Sequence, residues 1–155
     1  MKTSNSRSGI FLMELIAAIL FFALAASLCL EMFAKSHQIS NEAKCLNTAA
    51  NQSANAAELL KGAAALLDTY DGGTFFPDCL LTEYPDAETG SGFANVCYDK
   101  DWRHCAKEQG AYCMTITEQP SDDGLSTYQI DVRALSEDAK SIYSFDLKLH
   151  IPNRR

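Results

Sequence analysis

The chain has 155 residues, about one domain's worth. Its 47% apolar and 21% charged residues are ordinary for a folded protein, which excludes intrinsic disorder, collagen and low-complexity classes. Acidic side chains outnumber basic ones 20 to 13, the net charge is −7 and Lys and Arg are not clustered, so no nucleic-acid partner is expected.

Residues 1–9 (MKTSNSRSG) are polar and made basic by Lys2 and Arg7. From Ile10 to Ala34 the chain reads IFLMELIAAILFFALAASLCLEMFA, with Glu14 and Glu31 as its only charges. A helix of this length rises about 37 Å at ~1.5 Å per residue, enough to cross a bilayer. The preceding basic residues place its N-terminus in the cytoplasm, a bias that the following Lys35 makes modest.

Three simpler accounts compete. A cleaved secretory signal would use Ala23-Leu24-Ala25. However, Glu14 interrupts its apolar region, and the run continues through Leu28, Leu30 and Phe33. A lipoprotein signal ending at Cys29 would want a small residue where Leu28 stands. A plain single-span anchor explains the length but not Glu14. A carboxylate within a span costs about 2.5–3.5 kcal/mol even on a lenient insertion scale, and it calls for a partner. No neighbouring side chain is basic, but a new α-amino group just upstream would serve.

SRSG followed by IFLMEL resembles the processing signal of type IV pilins and of the pilin-like subunits of type II secretion and competence systems. In that family a short basic leader is removed after a glycine, the new apolar N-terminus is methylated, and a glutamate stands fifth. The resemblance implies processing between Gly9 and Ile10, with Glu14 as the assembly residue. It implies a prepilin peptidase and methylase, other pilin-like subunits and the membrane as partners. The motif departs from the family in having Ile10 where phenylalanine is commoner. The apolar segment also lacks the helix-breaking proline of many major pilins, since Pro77, Pro85, Pro120 and Pro152 all lie downstream. A minor pilin or pseudopilin fits better than a filament-bulk pilin.

The helical pattern continues beyond Ala34. Ile39, Ala43, Leu46, Ala50, Ser53, Ala57, Leu60, Ala64 and Leu67 recur at spacings of four and three, which is one face of a helix. Gln38, Asn41, Lys44, Asn51, Gln52 and Asn55 make the polar face. A dimeric coiled coil would use the same spacing, but an alanine-rich stripe with few flanking charges suits close packing on a sheet. One helix over roughly residues 10–68 is expected, membrane half 10–34 and amphipathic half 35–68, ended by Asp71-Gly72-Gly73.

Residues 69–110 show no clear periodicity and read as an irregular connection, with a short helical turn around Trp102–Glu108. Period-two alternation begins in 111–155. Tyr112, Met114 and Ile116 lie on one side of a first strand. After the turn-rich EQPSDDG come Tyr128, Ile130, Val132 and Ala134. After Ser136–Asp138 come Tyr143, Phe145, Leu147, Leu149 and Ile151. Three antiparallel strands with one apolar face need a cover, and the Ala/Leu stripe is the amphipathic helix available. The expected fold is α+β: a long N-terminal helix on a three-stranded antiparallel meander, which is also the architecture that the pilin resemblance implies.

Cys29, Cys45, Cys79, Cys97, Cys105 and Cys113 remain to be placed. Cys29 falls in the apolar block as a small apolar residue. Cys79, Cys97, Cys105 and Cys113 crowd the irregular connection, where one or two disulfides would pin it in an exported head. Spacing does not choose among their pairings, and reduced, buried thiols are the alternative. A zinc site recruiting His104 lacks the C-x₂₋₄-C pair that structural zinc usually shows, so no metal is expected. Asp122, Asp123 and Gly124 read as a hairpin turn before a calcium site, and Asp78, Glu83, Asp86 and Glu88 as a solvated surface. No G-x-S-x-G, H-E-x-x-H or phosphate-loop pattern occurs.

The expectation is therefore a non-enzymatic, cofactor-free structural subunit of a type IV pilus or pseudopilus. It would span the cell membrane once, with a cytoplasmic N-terminus, an extracytoplasmic head and a place in a surface filament. The competing expectation is a membrane-anchored extracellular binding or sensor domain that does not polymerise.

Overall fold

The computed structural model describes residues 5–65, 76–119, 125–136 and 140–150, with side chains from Gly9 onward. Residues 1–4 of the leader, Leu67, the Asp71-Gly72-Gly73 stop, Pro120, the Asp122-Asp123-Gly124 turn, Asp138 and Ile151 lie outside the described residues. The chain divides into two units, residues 1–43 and 44–155.

Helix α1 is described from Asn5 to Ala65. No proline precedes Pro77, and between Gly9 and Gly72 the only glycine is Gly62, so nothing in the sequence interrupts the backbone ladder. In the first unit every side chain from Ile10 to Ala43 is exposed, Phe22 at 81%. Ile39, expected to open the buried stripe, is among them.

In the second unit α1 becomes a core element. Ala49, Ser53, Ala56, Ala57 and Leu60 are buried at helical spacing, and the apolar four join the sheet in one cluster. Small side chains let the helix backbone approach the sheet. Ser53 enters this face at no hydrogen-bonding cost, because its hydroxyl donates to the Ala49 carbonyl at 2.8 Å. Asn51, Asn55, Glu58 and Lys61 face solvent, the last two as an ion pair. Leu46 lies on the expected stripe but is exposed.

The sheet corrects the three-strand expectation: it has five antiparallel strands in sequential order. Strands β3 (Tyr112–Gln119), β4 (Leu125–Ala134) and β5 (Ser141–His150) are the three that the alternation marks. Strands β1 (Glu88–Gly90) and β2 (Phe93–Tyr98) lie in the segment read as irregular, after a one-turn helix α2 (Asp78–Leu81). They escape the pattern for two reasons. β1 has three residues and no apolar one, and β2 carries apolar Phe93 and Cys97 on its outer face, which blurs the alternation with Ala94, Val96 and Tyr98.

Register places the core in rows across the sheet. Ala94, Ile116, Ile130 and Phe145 pair in line, as do Val96, Met114, Val132 and Tyr143. The next rows point to the other face: Asn95, Thr115, Asp131 and Ser144, then Cys97, Cys113, Arg133 and Ser141. A register shift at Val132/Arg133 admits one extra residue in β5. The apolar side chains of β5 are only half-buried, as befits an edge strand. Phe76 and Tyr128 meet edge to face at 5.3 Å, and the Tyr128 hydroxyl donates to Glu118 Oε1 at 2.8 Å.

Candidate functional site

Two regions carry the residues singled out by the sequence, one in each unit. In the first, Ile10 and Glu14 are one helical turn apart and so share a face of α1. Ile10 is 66% exposed, Glu14 is exposed, and a side chain at Gly9 would meet no atom within 4 Å. No described side chain pairs with Glu14. Around it Phe11, Leu12, Met13, Leu15, Ile16 and Ile19 are exposed on every side of the helix. A helix apolar all round belongs in a core or in lipid. This segment is long and apolar enough to cross a membrane, and none of it is buried by protein.

The second region is the connection between β2 and β3. Asp99 organises its turn: Oδ1 accepts the backbone N–H groups of Asp101 and Arg103, each at 2.9 Å. The Asp99 amide donates to the Arg103 carbonyl at 2.9 Å. Trp102 closes the turn with φ 61°, a left-handed conformation unusual for a bulky side chain. The ring is held there by stacking on Tyr112, 4.3 Å between centroids and 9° between planes. The expected helical turn over Trp102–Glu108 is instead this hydrogen-bonded turn, followed by a short 3₁₀ turn at Lys107–Gln109.

His104 extends the aromatic cluster, 4.9 Å from the Tyr84 ring and 5.1 Å from Tyr98. Burial raises both tyrosines above the ordinary phenol range, so they are neutral at physiological pH. Between this cluster and the polar side of α1 lies an open groove of about 980 Å³, lined by Asn55, Glu58, Cys79, Trp102, Arg103 and His104, among others. Sequence reasoning missed the groove, because its walls come from segments nearly fifty residues apart that only the tertiary fold brings together.

The four candidate disulfide cysteines separate. Cys79 sits on α2, half-buried against the core, its thiol pushed up to about 11 by desolvation. Cys97 and Cys113 are direct cross-strand partners on the outer face, their sulfurs 3.0 Å apart. Cys105 flanks Cys97 from the opposite side, where its N–H donates to the Cys97 carbonyl at 3.1 Å. Burial and the coulombic influence of Asp99 and Cys97 raise the Cys105 thiol. Cys29 is exposed and Cys45 half-buried on α1. Among the described residues no three His, Cys, Asp or Glu side chains converge as a metal-binding group. The acidic Asp78, Glu83, Asp86 and Glu88 are all exposed, with Glu88 paired to Lys107 at 2.9 Å.

Compared with known proteins, the chain matches no family model, no curated protein and no solved structure.

Proposed function

We propose that this chain is a pilin-like structural subunit of a membrane-assembled filament, a minor pilin or pseudopilin, cut after Gly9 and methylated at Ile10. The observation that carries the reading is the N-terminal half of α1. It is an apolar helix exposed on every side, with an unpaired carboxylate at Glu14 one turn after Ile10, the residue that follows a processing-type glycine. The α+β head, with a helix face of small residues against an antiparallel meander, is in keeping with it.

The physical logic of assembly follows from the cost of charge in lipid. An unpaired carboxylate among hydrocarbon chains is expensive. An ammonium at the Ile10 terminus of a neighbouring subunit relieves that cost and fixes the axial offset between subunits. The apolar surface from Phe11 to Phe33 lies in lipid before assembly and against other helices afterwards. The partners are then other pilin-like subunits, a prepilin peptidase and a methylase, and the chain itself catalyses nothing.

Intact-mass measurement of membrane-extracted protein tests the processing: loss of residues 1–9 with gain of one methyl group is expected. A mature terminus at Ala26 would replace this reading with a secretory signal. Assembly is tested by Glu14→Gln, which removes the charge and nearly keeps the shape. Membrane insertion should survive and the sheared, filament-borne fraction should fall. An unchanged fraction in cells that assemble the wild type leaves a plain anchor. A second reading, an anchored head that binds a ligand without polymerising, draws its support from the groove at Trp102 and His104. Retention of every molecule in the membrane fraction after shearing favours that one.

A further inference from the structure

We infer that Cys97 and Cys113 are a disulfide pair that locks β2 to β3 across the outer face of the sheet. Three observations converge on it. The two residues occupy one rung of the β2–β3 ladder. The Cys97 carbonyl accepts the Cys105 N–H, and Tyr98 bridges to His104, so the Cys97 backbone groups are directed away from β3. Toward β3 it therefore stands at a non-hydrogen-bonded position, where paired Cα atoms approach to about 4.5 Å. That separation lies within the range a disulfide spans. The third observation is the side chains themselves: the sulfurs face one another at 3.0 Å, closer than two unbonded groups of their size ordinarily rest.

The surroundings suit a structural bond. Around the pair this face of the sheet is polar, carrying Asn95, Thr115, Asp131 and Arg133, with Phe93 at the far end of β2, yet Cys97 and Cys113 are buried. Their cover is the 107–110 segment with Leu135: a side chain on Gly110 would come within 2.9 Å of Leu135 and 3.4 Å of Cys97 Cβ. Desolvation pushes the Cys113 thiol up to about 12, and its contact with Cys97 adds to the shift. A thiolate is thus hard to form once the cover has closed. Oxidation belongs to folding, and the finished bond is shielded from reductants.

The chemistry is thiol–disulfide exchange with a disulfide oxidant, either a dithiol oxidase or a small-molecule disulfide. One cysteine loses its proton and attacks the oxidant, whose first sulfur leaves as a thiol. The second cysteine then attacks the mixed disulfide and releases the other sulfur as a thiol. Two protons and two electrons pass to the oxidant. Pairing is a property of the geometry and does not require the chain to polymerise. Oxidation inside cells additionally requires the head to be exported, so exchange in vitro separates the two.

Full-length protein is reduced in denaturant, refolded in detergent with glutathione disulfide, blocked with a maleimide in denaturant, and digested with trypsin and a glutamate-specific protease. The cuts put Cys79, Cys97, Cys105 and Cys113 on four different peptides. Expected is one linked species joining the Cys97 and Cys113 peptides, two hydrogens lighter than their sum and lost on reduction. A Cys97–Cys105 link, or Cys97 and Cys113 both carrying maleimide or glutathione, overturns the assignment. The bond closes a loop of about 15 residues, so reduction should lower the melting temperature by on the order of 10 °C. Cys97→Ala/Cys113→Ala should abolish that redox dependence. Persistence of the full shift in the double variant places the bond elsewhere and refutes the pair.

Discussion

Leu60→Ala tests the role of α1 as the wall of the core. Leu60 is wholly buried at 0% exposure, in the cluster that holds Tyr128, Ile130 and Met114. Leucine-to-alanine changes in cores cost about 2–5 kcal/mol, and the value depends on how far the surroundings collapse into the space. Collapse is restricted here. The buried helix neighbours Ala56 and Ala57 have no rotamers with which to fill a hole. Tyr128 and Phe76 are held edge to face, and the Tyr128 hydroxyl is tied to Glu118. The cost should therefore fall in the upper half of the range, about 3–5 kcal/mol. Asn55→Ala, on the exposed side of the same helix, should stay within about 0.5 kcal/mol of wild type. The assay is denaturant unfolding of the detergent-solubilised full chain. Circular dichroism read in the tryptophan and tyrosine bands reports Trp102 and the core tyrosines, and the apolar half of α1 contains neither residue type. Leu60→Ala should lower the midpoint with the slope unchanged. Equal midpoints for the two variants would refute the orientation of α1 on the sheet.

Three further outcomes follow from the head. Tyr128→Phe deletes the 2.8 Å hydrogen bond to the Glu118 carboxylate and should cost about 1.5–3 kcal/mol in the same unfolding assay. Gly92 has φ +79°, so Gly92→Ala should cost about 1–2 kcal/mol through strain. Gly90→Ala, whose nearest contacts are atoms of the half-exposed Phe93 ring that can swing outward, should be milder, and the reverse order would disprove the turn geometry. The hydrogen bond from Lys107 is the main cause that holds the Glu88 carboxyl below its ordinary 4.5. A lowered folded value means that the stabilisation is present above pH 4.5 and disappears as pH falls through the folded value. Both partners are exposed, so the effect is small and screened by salt. Glu88→Gln should remove this acid-side slope in low-salt melts: the variant melts slightly lower than wild type at neutral pH, and the two converge below the folded value.

The two halves of α1 show where sequence patterning stops. The apolar run from Ile10 to Ala34 and the lack of any proline or paired glycines before Gly72 determine a long helix by themselves, since helix hydrogen bonds are local. The 3.6-residue recurrence also identifies which side of that helix is apolar. It does not say how much of that side is covered. Ile39 and Leu46 fit the stripe as well as Leu60 does, yet burial begins at Ala49, because only the position of the sheet decides it.

The sheet divides in the same way. β3, β4 and β5 are legible because their outward residues are polar and their inward ones apolar, so alternation reports the face directly. β1 and β2 are decided by pairing: Glu88, Thr89 and Gly90 make a strand only because Asn95, Ala94 and Phe93 stand opposite. The same distinction governs the candidate sites. Gly9, Ile10 and Glu14 can be read along the chain because their relation is one helical turn. The cysteines could be counted from sequence, but four of them allow three pairings. Setting Cys97 against Cys113 needed the register of two strands joined by a thirteen-residue connection, and the groove beside Trp102 needed α1 brought up to that connection. Local hydrogen bonding and periodicity are written residue by residue, whereas register and long-range contact exist only once the chain has closed on itself.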